Sequence, residues 1–194
     1  MKFPRRAAAV TAVVFAGTAS AATFTAELVA RNSQKCVSVS GASTQNGADA
    51  VQWDCVSATN QQWKLVATSA DYYTVSAVNS GKCLSVTGAS VQNNATVVQW
   101  DCVNATNQEW RLVQKDSGYF SIEARHSGKC LSVAGAGTQN GAALVQWTAW
   151  RAPTSTSGSA DPTQRDAEPA FARLRKHSLE SIISRQGATA WCMY

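Results

Sequence analysis

The chain has 194 residues, enough for one domain of ordinary size, and 45% of them are hydrophobic. Its formal net charge of +5 comes from the two ends, because residues 22–147 contain eight basic and eight acidic residues. This neutral body has no basic surface to neutralise phosphates, so the composition argues against nucleic-acid binding.

The first 21 residues have the three parts of a secretory signal peptide. Three basic residues within the first six are followed by an apolar run and then by the small residues Ala19, Ser20 and Ala21. The apolar run is shorter than the roughly 20 residues of a transmembrane helix, and no later segment comes close. We therefore expect a secreted, extracellular protein without a membrane span, whose residues 1–21 are removed.

A 47-residue repeat begins near residue 33. Residues 33–65 share 23 of 33 positions with residues 80–112, and residues 127–147 share 15 of 21 positions with residues 80–100. The first cysteine and one tryptophan of each repeat recur at this interval, at Cys36, Cys83 and Cys130 and at Trp53, Trp100 and Trp147. A period of this length indicates one supersecondary unit that is used three times.

Each repeat reads as four short strands. The first segment, Cys-(Val/Leu)-Ser-Val, alternates in polarity before a Gly-Ala turn, and Val-Gln-Trp and Gln-Xaa-Trp-(Lys/Arg)-Leu-Val follow it. Tyr72–Val78 and Tyr119–Ala124 supply a fourth strand, bounded by Ser-Gly turns. One such unit cannot bury its apolar face alone, whereas three around an axis can, so the pattern predicts a closed all-β body.

The spacing of the cysteines indicates local disulfides in an exported chain. Cys36 and Cys55 are 19 residues apart, as are Cys83 and Cys102, so each of the first two repeats can close its own loop. The Cys-Xaa2-Cys spacing of zinc sites is absent and neither histidine is placed to complete one. We predict these two disulfides and no metal site.

The combination of Cys-Xaa-Ser-Val, Gln-Trp-Asp-Cys and Asn-Gln-Xaa-Trp at this period resembles the ricin B-type β-trefoil lectins and related bacterial carbohydrate-binding modules. The resemblance covers roughly residues 26–147. It implies a β-trefoil with pseudo-threefold symmetry, one shallow sugar site per repeat and glycans or polysaccharides as partners. It also implies no cofactor and no catalysis by the module itself.

The resemblance implies roles for particular residues. It implies that the glutamines and tryptophans of Gln-Xaa-Trp belong to the core; they are Gln61, Trp63, Gln108 and Trp110. It also implies that the preceding asparagines, Asn60 and Asn107, bind sugar hydroxyls, and that the tryptophans at 53, 100 and 147 stack on the face of the sugar. Each ligand residue has a structural alternative, because a strand tryptophan can belong to the core and an asparagine can form an Asx-turn.

Two departures from the family pattern predict weakened sugar binding. Ser38, Ser85 and Ser132 stand where the family places an Asp that accepts hydrogen bonds from vicinal hydroxyls. Losing that charged acceptor costs about 1 kcal/mol or more per site, a several-fold loss of affinity. The family's Gln is also displaced by one residue, to Gln52 and Gln99, and strand alternation turns these amides to the opposite face.

The predicted function is a lectin module for galactose- or xylose-containing glycans. The alternative is a β-trefoil that binds proteins, such as a protease inhibitor, or a scaffold without a sugar site. Catalysis has no support in the sequence, since Asp54 and Asp101 recur with the repeat and neither histidine lies in a nucleophile motif. We therefore expect a protein that is not an enzyme.

After Trp147 the repeat stops. Positions 148 and 149 should read Asp-Cys and read Thr-Ala, and the remaining residues to 194 include three of the four prolines. We expect the third repeat to lack its last two strands and Cys130 to lack its repeat partner, with Cys192 pairing to it only by accident. Only Phe171–Ile183 has the spacing of a short helix.

The genetic code offers an explanation for the break. Asp-Cys codons read one base late encode Thr-Ala, so our hypothesis is a one-base deletion near codon 148 that leaves residues 148–194 out of frame or disordered. A natural linker and tail is the alternative. Made as written, the chain should expose strand edges and be poorly soluble or disulfide-linked.

Overall fold

A computed structural model of the chain describes residues 22–69, 71–115 and 118–149, and the backbone of residues 172–175. The predicted signal peptide and most of the predicted tail lie outside these ranges. The described residues form a 12-stranded sheet. Its strands are β1 (Thr23–Ala30), β2 (Cys36–Val39), β3 (Ala50–Trp53), β4 (Gln62–Ser69), β5 (Tyr72–Ala77), β6 (Cys83–Val86), β7 (Ala95–Trp100), β8 (Glu109–Gln114), β9 (Phe120–Ala124), β10 (Cys130–Val133), β11 (Leu144–Trp147) and β12 (Ala172–Arg175).

Short 3-10 helices follow the first and second hairpin strands of the repeats. They span Ser40–Ala42, Thr59–Gln61, Thr87–Ala89, Thr106–Gln108 and Ala134–Ala136. Within the described ranges, no helix is long and apolar enough to cross a membrane.

Six of the strands close into a barrel and the other six form a cap. The barrel runs β1, β4, β5, β8, β9 and β12, and β12 pairs back with β1. The hairpins β2–β3, β6–β7 and β10–β11 form the cap and meet one another through β11–β7 pairing and two isolated bridges. This threefold arrangement is a β-trefoil, which confirms the predicted fold.

The core is built by alternate side chains of the barrel strands. Trp63 and Leu65 of β4 are completely buried while Lys64 between them is exposed, and Trp110 of β8 is buried in the same way. Each indole also donates a hydrogen bond at 2.9 Å, Trp63 to the Val37 carbonyl and Trp110 to the Leu84 carbonyl. The period-two pattern of these strands thus places one tryptophan from each of the first two repeats in the core.

The two predicted disulfides are confirmed. Cys36 is bonded to Cys55 and Cys83 to Cys102, each pair with its Cα atoms 5.1 Å apart. Cys130 is disulfide-bonded as well, to a partner outside the described residues, so the expectation of an unpaired thiol there is wrong.

A strand from beyond the repeat closes the barrel. The third repeat was expected to lack its last two strands, but β12 occupies the place of its Gln-Xaa-Trp strand and pairs with β1 from Ala30 to Glu27. The expectation of a helix starting at Phe171 is therefore wrong for Ala172–Arg175, and the rest of that segment lies outside the described residues. An open position between two strand edges favours extended backbone, because unpaired N–H and C=O groups there would otherwise remain unsatisfied.

Candidate functional site

The outer face of each cap hairpin brings the predicted ligand residues together. In the first repeat Cys36 is opposite Trp53 and Ser38 is opposite Val51. Opposite residues of an antiparallel pair share a face, so Ser38 and Trp53 lie on the same side of the hairpin. The other side carries Val37, Val39 and Ala50 into the core. The second repeat places Ser85 and Trp100 in the same way.

An asparagine from the following 3-10 helix completes the group. The Nδ2 atom of Asn60 donates to Ser38 Oγ at 2.9 Å and to the Val39 carbonyl at 3.0 Å. Asn107 repeats this arrangement, with 3.1 Å to Ser85 Oγ and 2.9 Å to the Val86 carbonyl. Both amide hydrogens are thereby used, which leaves the side-chain Oδ1 as the group that can accept a hydrogen bond from a ligand.

The two serines hold the asparagines in place. Ser38 is 4% exposed and Ser85 is 5% exposed, so a ligand has almost no access to their hydroxyls. The sequence comparison placed these serines at a ligand position, and the structure gives them the geometry of positioning residues. This difference was hidden in the sequence because it depends on the asparagine that covers them.

The predicted stacking tryptophans are half exposed and lean on a neighbouring repeat. Trp53 is 47% exposed and Trp100 is 46% exposed. The Cζ3 atom of Trp100 lies 3.6 Å from where a Cβ on Gly47 would be, and that of Trp53 lies 3.8 Å from the same point on Gly141. Both glycines have φ of +82°, so each supplies a turn that a larger residue would strain. One ring face therefore packs while exposed ring surface remains for a ligand.

Reciprocal hydrogen bonds fix the corner beside each tryptophan. The Asp101 backbone N–H donates to Asn46 Oδ1 at 3.0 Å, Asn46 Nδ2 donates to Asp101 Oδ2 at 2.7 Å, and Lys82 Nζ lies 2.5 Å from Asp101 Oδ1. The hydrogen bond from Lys82 lowers the pKa of Asp101, and the bond from Asn46 adds to the effect. Asp54 is held likewise by Lys35 and Asn140, which also lower its pKa. These carboxylates are ionised at neutral pH and stabilise the corner beside each tryptophan.

A glutamine inside each hairpin is hydrogen-bonded to a neighbouring repeat, a contact that was not predicted from the sequence. Gln99 is fully buried, accepts a hydrogen bond from Ser80 Oγ at 2.7 Å and donates to the Ser43 and Gln45 carbonyls at 2.8 Å each. Gln52 and Gln146 make the equivalent bonds in their repeats. The inward direction of these three glutamine side chains agrees with the strand alternation noted in the sequence. The recurring Gln-Asn of the loops was the one sequence signal for the segments that they contact.

The glutamines of Gln-Xaa-Trp brace the loop after each disulfide. Gln61 Oε1 accepts from the Val56 N–H at 2.8 Å and its Nε2 donates to the Asp54 carbonyl at 2.8 Å. Gln108 makes the same pair of bonds, to Val103 and Asp101. These residues are buried and do not reach the outer face.

The third repeat retains only part of the site. Ser132 and Trp147 share the outer face of the β10–β11 hairpin, but Ser132 Oγ is buried, at 3% exposure of its residue, and has no hydrogen-bond partner. Thr148 takes the place of the corner aspartate, since it donates to Asn93 Oδ1 and accepts from Lys129 Nζ at 2.9 Å. No described residue of this repeat supplies the asparagine.

The chemistry available at the two complete groups is recognition of a ring that carries hydroxyls. Each group offers an exposed indole surface and the amide oxygen of an asparagine that is hydrogen-bonded to the same hairpin. Among the described residues, no group of three His, Cys, Asp or Glu side chains is arranged to hold a metal ion.

The family model described as "Ricin-type beta-trefoil lectin domain-like" matches the chain twice, over residues 14–100 and 66–147. No curated protein matches the chain significantly. Among solved structures, the designed threefold-symmetric protein ThreeFoil is 38% identical, with a TM-score of 0.67, and the match covers 78% of this chain and 98% of that one.

Two natural proteins are also structurally similar to this chain. The exo-β-1,3-galactanase 1,3Gal43A from Clostridium thermocellum is 28% identical with a TM-score of 0.65, and the match covers 77% of this chain but 29% of the enzyme. A ricin B-like lectin from Macrolepiota procera, solved in complex with lactose, has a TM-score of 0.61 over 78% of this chain and 94% of its own. At 16% identity, the likeness to the fungal protein is one of fold.

Proposed function

Because the chain belongs to the ricin-type β-trefoil lectin domain-like family, we propose that it is a secreted, non-enzymatic carbohydrate-binding module. The observation that carries the proposal is the duplicated group of Trp53, Ser38 and Asn60 in repeat one and Trp100, Ser85 and Asn107 in repeat two. The core does not need a half-exposed tryptophan and a partly exposed asparagine on each hairpin, so their presence in both repeats favours a ligand site.

Each site binds a sugar by stacking and by one held acceptor. The apolar face of a pyranose packs on the exposed part of the indole, and a hydroxyl donates to the asparagine Oδ1. A single aromatic face and a single neutral hydrogen bond support an affinity of about 1 mM per site, or about −4 kcal/mol. We assign galactose- or xylose-containing glycans as the ligand class.

Two sites rather than three make the module weaker than a complete trefoil. The third repeat has Trp147 but lacks the described asparagine, and its Ser132 hydroxyl is left without a partner. We propose that residues 148–194 arose from a frame change near codon 148, in which case a neighbouring reading frame of the gene encodes Asp-Cys followed by Asn-Gln-Xaa-(Phe/Trp). If neither of the other two reading frames encodes this sequence, the proposed origin is refuted.

Glycan binding by single-site variants tests the function. On immobilised polysaccharides, Trp100→Ala and Asn107→Ala should each remove binding at repeat two. The double variant with Trp53→Ala and Trp100→Ala should not be retained at all. Gln92→Ala, on an exposed loop, is the matched control and should bind normally. Binding that survives every site variant would refute the site assignment, and no binding to any glycan would favour the protein-binding alternative.

A further inference from the structure

The third repeat lacks one four-residue segment, while the groups that this segment would contact are still present. Asn-Gln-Xaa-Trp occupies residues 60–63 and 107–110, and the corresponding residues 154–157 read Thr-Ser-Thr-Ser. In the first two repeats the asparagine bonds the hairpin serine, the glutamine bonds a corner carbonyl and the tryptophan is buried. The third repeat thus lacks the asparagine, glutamine and tryptophan contacts that the first two repeats have.

Strand β12 replaces the backbone of that segment and not its chemistry. In β4, Trp63 is paired with Ala77 of β5 and with Ala26 of β1. In β12, Ala172 is paired with Ala30 of β1, which lies 47 residues before Ala77, and with Phe120 of β9, which lies two 47-residue periods after Ala26, so both partners hold equivalent repeat positions. An alanine therefore stands at the register position where the other repeats have an indole.

Two polar groups of β10 lack the described partners that their counterparts have. Ser132 Oγ is buried and without a hydrogen-bond partner, whereas Ser38 and Ser85 each receive an asparagine amide. The carbonyl of Leu131 corresponds to those of Val37 and Leu84, which accept an indole N–H, and no described side chain donates to it. An unsatisfied buried polar group costs roughly 1–3 kcal/mol, so a ligand that donated a hydrogen bond to Ser132 Oγ would gain affinity.

We propose that the seam between β1 and β9, which β12 now fills, is an acceptor site for an Asn-Gln-Xaa-Trp strand supplied by another polypeptide. Such a strand pairs with both barrel edges, inserts its tryptophan at the Ala172 position and donates its asparagine amide to Ser132. Its partner is therefore an extended peptide of defined sequence, bound by strand addition. This interaction does not depend on sugar binding.

The pairing of β12 makes its displacement feasible. Among the described residues, Ala172 and Phe120 are the one β12–β9 pair, whereas β8 pairs with the other edge of β9 continuously from Trp110 to Gln114. Main-chain pairing along both edges gives an incoming strand more hydrogen bonds than β12 has, and the tryptophan adds about 150–250 Å² of buried surface. Sequence selectivity then rests on the asparagine and tryptophan.

Fluorescence anisotropy with labelled peptides tests the proposal on the full-length chain without sugar. The probe is a peptide with the sequence of residues 105–114, and the matched control has alanine at the position of Trp110. We expect saturable one-to-one binding of the probe, at least tenfold weaker binding of the control, and a rise in Tm of the chain with probe concentration. Ala172→Trp, which fills the position within the chain, should weaken probe binding at least tenfold.

Equal affinity for the probe and the control would overturn the proposal, as would no binding to a chain shown to be folded by its near-UV circular dichroism. Ser132→Ala adds a test that does not depend on the tryptophan. This substitution should weaken binding of the probe several-fold, and it should not change the affinity for a peptide that has alanine at the position of Asn107. A stable dimer that the probe does not dissociate would instead assign the seam to a second copy of the chain and refute peptide binding.

Discussion

Replacing Gln99 by methionine should destabilise the whole trefoil while leaving its strands in register. Methionine has a similar length and is tolerated in cores, but it cannot replace the bonds to Ser80 Oγ and to the Ser43 and Gln45 carbonyls. Each is a neutral hydrogen bond worth about 1 kcal/mol net. All three partners lose a bond together, so the free energy of unfolding should fall by about 3 kcal/mol, a large part of the roughly 5–15 kcal/mol of a typical domain.

Urea unfolding followed by tryptophan fluorescence measures this change. With disulfides intact in both proteins, Gln99→Met should lower the midpoint without changing the slope m, which depends on the surface exposed. Gln45→Met is the matched control, because its side chain is exposed and only its backbone carbonyl accepts the clamp. A Gln99→Met effect below about 0.5 kcal/mol, or one equal to that of the control, would show that the clamp does not couple the repeats.

Three further predictions concern the corners, the disulfides and the sugar site. The lowered pKa values of Asp54 and Asp101 mean that their contribution to stability is complete above the ordinary value of 3.8 and is lost as the pH falls below it. Thermal melts should therefore lose Tm below that pH, and the Asp101→Asn variant should lose less; a loss centred near pH 6 would contradict this assignment. Replacing Cys83 and Cys102 together by alanine should cost about 3 kcal/mol in urea unfolding, since the bond closes a short loop, and a cost near zero would show that the loop is equally ordered without it. Ser85→Ala should weaken sugar binding several-fold in titration calorimetry, because Asn107 loses the hydroxyl that holds its amide, and unchanged affinity would show that Ser85 does not position the asparagine.

The repeat period predicted most of the fold for a physical reason. Local alternation within Cys-Leu-Ser-Val and Gln-Xaa-Trp-Arg-Leu specifies each strand, and three copies of such a unit have few ways to bury their apolar faces. The disulfide between Cys83 and Cys102 could be predicted for the same reason, since both cysteines belong to one repeat. These features depend on residues close together in the chain.

Features that depend on contact between repeats could not be predicted. The bond from Gln99 to Ser43 links residues 56 positions apart, and its existence depends on how the three hairpins meet. The burial of Ser85 beneath Asn107 likewise depends on where the 3-10 helix lies. The spacing of Leu174, Leu179 and Ile182 favoured a helix, but strand edges left open in the barrel outweighed that weak local preference at Ala172–Arg175.

The glutamine clamps also bear on the order in which the chain can fold as it is synthesised. Gln52 grips repeat three, Gln99 grips repeat one and Gln146 grips repeat two, so the three bonds form a closed cycle. Every residue of this cycle precedes position 147, where the repeat ends. A chain synthesised from its N-terminus can therefore assemble the entire cap before the residues beyond the repeat appear, and β12 then fills the last place in the barrel.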